Sequence, residues 1–195
     1  MAKQKKPIEI PSLEQVEAEL NRVSYASRYR AVLRSTVYTL IVVAAVAILV
    51  ATLWLPFLRI YGTSMSPTLT DGELVCCIKT SDFEPGDIIA FYYNNKILVK
   101  RVIGQAGDWV DIQEDGTVYV NQTALSEPYL MDKALGESDI TFPYQVPESR
   151  VFVMGDHRST SIDSRSSAVG CVAQEQIVGK ILLRIWPMNR IGAVR

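Results

Sequence analysis

The feature that most constrains this chain is a stretch from Ser35 to Leu58 that holds no charged residue. Wound as an α-helix at about 1.5 Å per residue, it would reach roughly 36 Å, more than the ~30 Å hydrocarbon core of a bilayer. From Val37 to Leu55 it is mostly Val, Ala, Leu and Ile. Tyr38 and Trp54 stand near its ends, where amphipathic rings favour the membrane interface. A buried helix this long and uncharged is out of proportion to a chain of 195 residues. A cleaved signal peptide has a shorter apolar region, about 7–15 residues, that ends at small residues. This one ends Leu-Trp-Leu-Pro-Phe-Leu. An uncleaved membrane anchor over residues 35–58 is therefore expected.

Its flanks set an expected orientation. Arg28, Arg30 and Arg34 crowd the N-terminal side, with Lys3, Lys5, Lys6 and Arg22 behind them, whereas only Arg59 lies close on the other side. The positive-inside rule then puts residues 1–34 in the cytoplasm and 59–195 outside. Within the first segment, Ser12-Leu13-Glu14-Gln15 has the form of a helix N-cap, and Glu14, Glu17 and Glu19 suit a helix N-terminus. A mobile or surface-lying segment is the plainer expectation there.

Beyond the anchor the pattern changes to short β-rich runs between Gly, Pro, Asn and Asp. Strands are expected over 73–78, 88–93, 97–103, 109–113, 117–120, 150–154 and 177–185. Tyr93-Asn94-Asn95-Lys96 and Glu114-Asp115-Gly116 have the composition of hairpin turns. The expected fold is thus a mainly β domain of mostly antiparallel sheets carried on one transmembrane helix. A net charge of −1 supplies no field for nucleic acid. Three cysteines, Cys76, Cys77 and Cys171, are too few for a disulfide framework and lack zinc-site spacing. Reduced, buried thiols are expected, with one bridge from Cys76 or Cys77 to Cys171 as the alternative.

Three segments carry groups capable of chemistry. Ser64 sits on a turn after Gly62; alone it is an ordinary turn serine. Lys100 lies in an apolar strand, where alternation gives it the face of Leu98 and Val102. Such a lysine either snorkels to water or is buried with its charge removed. From Gly155 to Arg165 runs a loop dense in hydrogen-bonding groups, which alone reads as polar surface.

Taken in order, these segments resemble the type I signal peptidase family. Ser64-Met65-x-Pro67-Thr68-Leu69 is similar to its nucleophile box and Lys100-Arg101-Val102-Ile103-Gly104, followed by Gly107-Asp108, to its general-base box. Pro85-Gly86-Asp87-Ile88-Ile89 and Gly155-Asp156-x-Arg158-x-x-Ser161-x-Asp163-Ser164-Arg165 are similar to two further boxes. The likeness runs from the anchor to Arg184-Ile185-Trp186-Pro187, and the single anchor and short ectodomain look like the Gram-positive form.

The resemblance implies a membrane-bound serine endopeptidase that removes signal peptides from secretory preproteins after small residues at −1 and −3. Ser64 would be the nucleophile, Lys100 the general base and Ser161 the group that orients its amine; Arg101, Asp163 and Arg165 would form a supporting ion-pair cluster. To act as a base Lys100 must lose its proton near neutral pH, which burial among apolar side chains can bring about. Ile60, Gly62, Met65, Leu69, Leu98 and Val99 are the residues expected to line substrate pockets. The Ser64 N–H would serve the oxyanion. Gly62 stands where many relatives carry a hydroxyl, so the second donor is open. His157 stands where the family usually has Asn and is expected to be a structural loop residue. Metals and organic cofactors are not implied. The partners implied are secretory preproteins, the lipid bilayer and the nearby secretion machinery, with no nucleic acid. The alternative is a non-catalytic relative acting in assembly, for instance in pilus biogenesis; the retained Ser64, Lys100 and Ser161 argue against it. A self-cleaving repressor would need a DNA-binding module and no anchor.

Overall fold

The computed structural model describes residues 12–194, which form two compact units that divide between Ala51 and Thr52. Nearly all of the first is one helix, α1 (Leu13–Trp54). It opens on a reciprocal cap: Ser12 N–H donates to Gln15 Oε1 (3.1 Å) and Gln15 N–H to Ser12 Oγ (3.4 Å). The capping signal forms, and the stretch from Leu13 to Arg34 is helical. From Ser35 to Trp54 the helix is uncharged over about 30 Å. It is long and apolar enough to cross a membrane. It stops at Trp54, short of Leu58. Pro56 disfavours helical backbone at Leu55, and Phe57 and Leu58 then enter a strand.

Two antiparallel sheets make the second unit. The larger holds β1 (Phe57–Arg59), β2 (Leu74–Ile78), β3 (Ile88–Tyr93) and β4 (Lys96–Gly104), with β9 (Arg150–Met154), β10 (Val172–Ala173), β11 (Ile177–Trp186) and β12 (Gly192–Ala193). Its order is β1-β2-β11-β3-β4-β9-β10, with β12 added on β11. The smaller holds β5 (Trp109–Ile112), β6 (Val118–Val120), β7 (Thr123–Ala124) and β8 (Tyr144–Gln145), in the order β7-β6-β5-β8. Every strand expected from the sequence is present, with ends within one residue. β1, β7, β8, β10 and β12 are additional.

The turns form where their chemistry predicts. Asn94 takes φ 52° in the β3–β4 hairpin, and Gly116 takes φ 82° between β5 and β6. Three apolar clusters fill the unit. Ile60, Met65, Leu69, Val75, Cys77 and Ile181 belong to one; Ile103, Val110, Phe152, Met154 and Cys171 to a second; Ile89, Phe91, Val102 and Val153 to a third. Cys77 and Cys171 thus sit in different clusters, and all three cysteines are free and buried. Burial pushes Cys77 up to about 12 and Cys171 to about 11, so both remain thiols.

Candidate active site

β4 carries Lys100 into the core. The residue is 3 % exposed, Leu98 and Val102 of its own strand pack in the third cluster, and its ammonium makes no ion pair among the described residues. Burial pushes its pKa from 10.5 down to about 8; the charges of Asp163 and Asp156 oppose the drop and Arg165 adds to it. On the neighbouring strand Arg101 faces Met154 and Val102 faces Val153. One more step of that register sets Lys100 opposite Gly155.

Gly155 is where the segments converge. A Cβ built on it would stand 2.5 Å from the Ser64 carbonyl oxygen and 2.6 Å from Ser161 Cβ, and closer still to Ser161 Oγ. Only a residue without a side chain allows the Ser64 turn and the Ser161 loop to approach so closely. His157 N–H fixes the contact by donating to the Ser64 carbonyl (3.0 Å). Ser161 is buried; its Oγ makes no hydrogen bond to Lys100 among the described residues, and its hydroxyl helps hold the Asp163 carboxyl down. His157 Nδ1 is buried and unpartnered among the described residues.

The ion-pair cluster resolves into two separate bidentate pairs. Arg101 donates to Asp156 from Nε (2.9 Å) and Nη2 (2.7 Å), and Arg165 donates to Asp163 from Nε (2.8 Å) and Nη2 (2.9 Å). Asp163 also accepts from Gly155 N–H (2.9 Å). Burial works against its charge, yet the Arg165 guanidinium and the Gly155 amide hold its carboxyl below the usual range. Asp156 accepts in addition from Thr68 Oγ1 (2.5 Å), which ties the Ser64 turn to the same network.

Beside Ser64 lies a cleft of about 760 Å³. Of the residues expected to line it, Ile60, Gly62, Met65, Leu98 and Val99 do so. Leu69 does not: the backbone bond from its N–H to Met65 O (2.9 Å) makes one helical turn, and its side chain is fully buried in the first core cluster. Phe57, Leu58, Arg59, Tyr61, Lys96 and Ile97 line the cleft as well. Phe57 and Leu58 were read as anchor, and Pro56 was the signal that the helix ends earlier; Arg59, Tyr61, Lys96 and Ile97 flank the expected lining residues in the chain. Gly62 takes φ 88°, and its N–H is engaged with Asp71 Oδ1 (2.7 Å), so it is no spare donor. Among the described residues, no group of three or more His, Cys, Asp or Glu is placed to hold a metal ion.

A family model described as signal peptidase, peptidase S26, matches residues 33–186, most of the chain. The chain belongs to the S26 signal peptidase family. It is 36% identical over 169 residues to signal peptidase I of Bacillus licheniformis, covering 80% of this chain and 89% of that one. It is 40% identical over 151 residues to signal peptidase IB of Staphylococcus aureus, covering 67% and 77%. The crystal structure of a signal peptidase I from Enterococcus faecalis matches with 34% sequence identity and a TM-score of 0.42 over 51% of this chain and 96% of that one. The chain is thus a serine endopeptidase of the signal peptidase class, anchored through its N-terminal helix.

Proposed function

We propose that this signal peptidase works with Ser64 as nucleophile and Lys100 as general base, cutting preproteins after small residues at −1 and −3. The observation that carries the reading is Lys100 itself: a buried lysine with no ion-pair partner among the described residues, its pKa about 8, in a family of serine peptidases. At pH 7 roughly a tenth of such lysines are neutral, against fewer than ~0.1 % of free ones. The neutral amine takes the proton of Ser64 Oγ as that oxygen attacks the scissile carbonyl. The ammonium so formed then protonates the departing amine, and water releases the acyl-enzyme by the same route in reverse. Ser161, which meets the Ser64 turn at Gly155, is the group that would orient the amine. The Ser64 N–H, which donates to nothing among the described residues, faces the oxyanion.

Two strand edges beside Ser64 suit an extended substrate. Among the described residues β1 pairs only with β2, and the first half of β4, Lys96 to Lys100, pairs only with β3. Both border the cleft. A preprotein segment lying between them would bond through its backbone, with alternate side chains entering the cleft. The arginines before Ser35 favour a cytoplasmic N-terminus, so the β unit works on the outer face, on preproteins whose hydrophobic segments are still in the bilayer beside the secretion machinery.

The test is cleavage of a purified preprotein with an Ala-x-Ala site by the full chain in detergent, alongside Ser64→Ala and Lys100→Ala. Cleavage after the second alanine, with both variants folded and at background, is expected. Retained activity in Lys100→Ala would remove the lysine from the mechanism.

A further inference from the structure

The segment from Ser126 to Ile140, between β7 and β8, forms almost no regular structure and lies outside all four sequence boxes. Its ends are held by apolar contacts, Leu125, Leu135 and Ile140 packing on the second core cluster. Its middle does something else: it lays polar groups over three buried arginines of the boxes. Glu127 accepts from both terminal nitrogens of Arg158, one of them at 3.2 Å, and both side chains of the pair are wholly buried. The Tyr129 ring lies 3.8 Å from the Arg101 guanidinium carbon, while its hydroxyl donates to Glu127 (2.9 Å). Leu135 O accepts from Arg165 Nη1 (2.6 Å). A Cβ on Gly136 would stand 2.5 Å from both Arg158 O and Arg165 Nη1, so backbone presses directly on the arginine loop.

Each arginine is therefore gripped from two sides, by a partner within the boxes and by this strap. The inner partners lead to the reacting groups. Arg158 Nε donates to the carbonyl of Gly155 (3.2 Å), the residue wedged between Ser64 and Ser161. Arg101 is the chain neighbour of Lys100. A desolvated ion pair adds little to stability compared with an apolar substitute, but it fixes geometry. We propose that Glu127 and Tyr129 are positioning residues of the peptidase: through Arg158 and Arg101 they set the placement of Gly155 and Lys100, and so the geometry between nucleophile and base.

The inference rests on the serine–lysine reading, and one experiment separates the two. Cleavage of the Ala-x-Ala preprotein by the full chain in detergent is followed for kcat and KM in Tyr129→Phe, Tyr129→Leu and Glu127→Gln, with Ser64→Ala and Lys100→Ala beside them. Tyr129→Phe keeps the ring on Arg101 and is expected to stay within about threefold of wild-type kcat. Tyr129→Leu, which keeps apolar cover but no ring, should lose tenfold or more in kcat at unchanged KM, and Glu127→Gln likewise. Should Tyr129→Leu match Tyr129→Phe, or the loss fall in KM alone, the strap is mere packing and the proposal fails even if Glu127→Gln does not fold. Activity surviving in Ser64→Ala or Lys100→Ala would instead overturn the reading beneath it.

Discussion

Replacing Lys100 by methionine should abolish cleavage and, at neutral pH, make the β unit more stable. The sign follows from the depressed pKa. Below about pH 8 Lys100 carries its proton in both folded and unfolded chains, and only the folded chain holds that charge in a buried site. Between 8 and 10.5 the folded chain has released the proton while the unfolded chain keeps it, so stability climbs with pH; above 10.5 the penalty is gone. The displacement from 10.5 to about 8 corresponds to a penalty of about 3 kcal/mol. Methionine has similar length and no charge, and a volume-conserving swap of this kind loses less than about 1.5 kcal/mol to imperfect packing. The variant should therefore gain about 2 kcal/mol at pH 7, and its advantage should fall by roughly 2.5 kcal/mol by pH 10. The assay is urea unfolding of the full chain in detergent, followed by tryptophan fluorescence, since Trp109 and Trp186 both lie in strands of the β unit. A Met variant less stable than wild type at pH 7 would refute the argument. So would a difference that does not shrink between pH 7 and pH 10, because it would show that the buried ammonium is not what strains the fold.

The same lysine governs the pH dependence of kcat/KM, which should rise about tenfold per pH unit and level off near pH 8; a limb near 10.5 would mean the amine is solvated in the working enzyme. Gly155→Ala should lower kcat by roughly 100-fold, because the added methyl must displace either the Ser64 carbonyl or the Ser161 side chain, and misplacement by about 1 Å is enough for such a loss. Gly192→Ala, whose Cβ would meet open space, is the control and should be silent. Leu69→Ala should destabilise by about 2–5 kcal/mol as a core deletion while leaving KM unchanged; a raised KM with intact stability would return Leu69 to the substrate cleft.

What was legible in the sequence is what local chemistry encodes. The uncharged run, the alternation around Lys100, and the Asn and Gly residues that accept positive φ each carry their structural meaning within a few residues; the run is helical as far as Trp54, short of the expected Leu58. The departures have two sources, a distant partner or a local turn that the boxes do not show. Arg101, Asp163 and Arg165 were expected together as one supporting ion-pair cluster. In the fold, Asp163 is taken by Arg165, two residues along, and the pairing of Arg101 with Met154 brings Asp156 into reach instead. Leu69 looked like a cleft residue by its place in the nucleophile box, but one helical turn from Met65 points it inward. The two-residue strands β7, β8, β10 and β12 are too short to show alternation, and pairing with a neighbour is what defines them.

The strap makes the same point most sharply, because Glu127 and Tyr129 lie in a stretch whose composition reads as ordinary loop. Their partners are 31 residues ahead in Arg158 and 28 behind in Arg101, and only tertiary structure brings them together. A buried arginine must find a counter-charge or an aromatic face somewhere, since leaving its charge uncompensated is strongly unfavourable. Four box residues, Lys100, Arg101, Arg158 and Arg165, bring cationic side chains into this interior; of the box carboxylates Asp156 and Asp163 pair with guanidinium groups there, while Asp87 pairs with Lys180 and Asp108 bonds Gln105 and Asn121. With Lys100 left without an ion pair, Arg158 needs a carboxylate from outside the boxes, and Glu127 is the one that reaches it. A count of buried charges therefore points to the strap where motif matching cannot. Lys100 loses its proton readily because it is buried: Asp163 and Asp156, each paired with an arginine, oppose that loss without overcoming it.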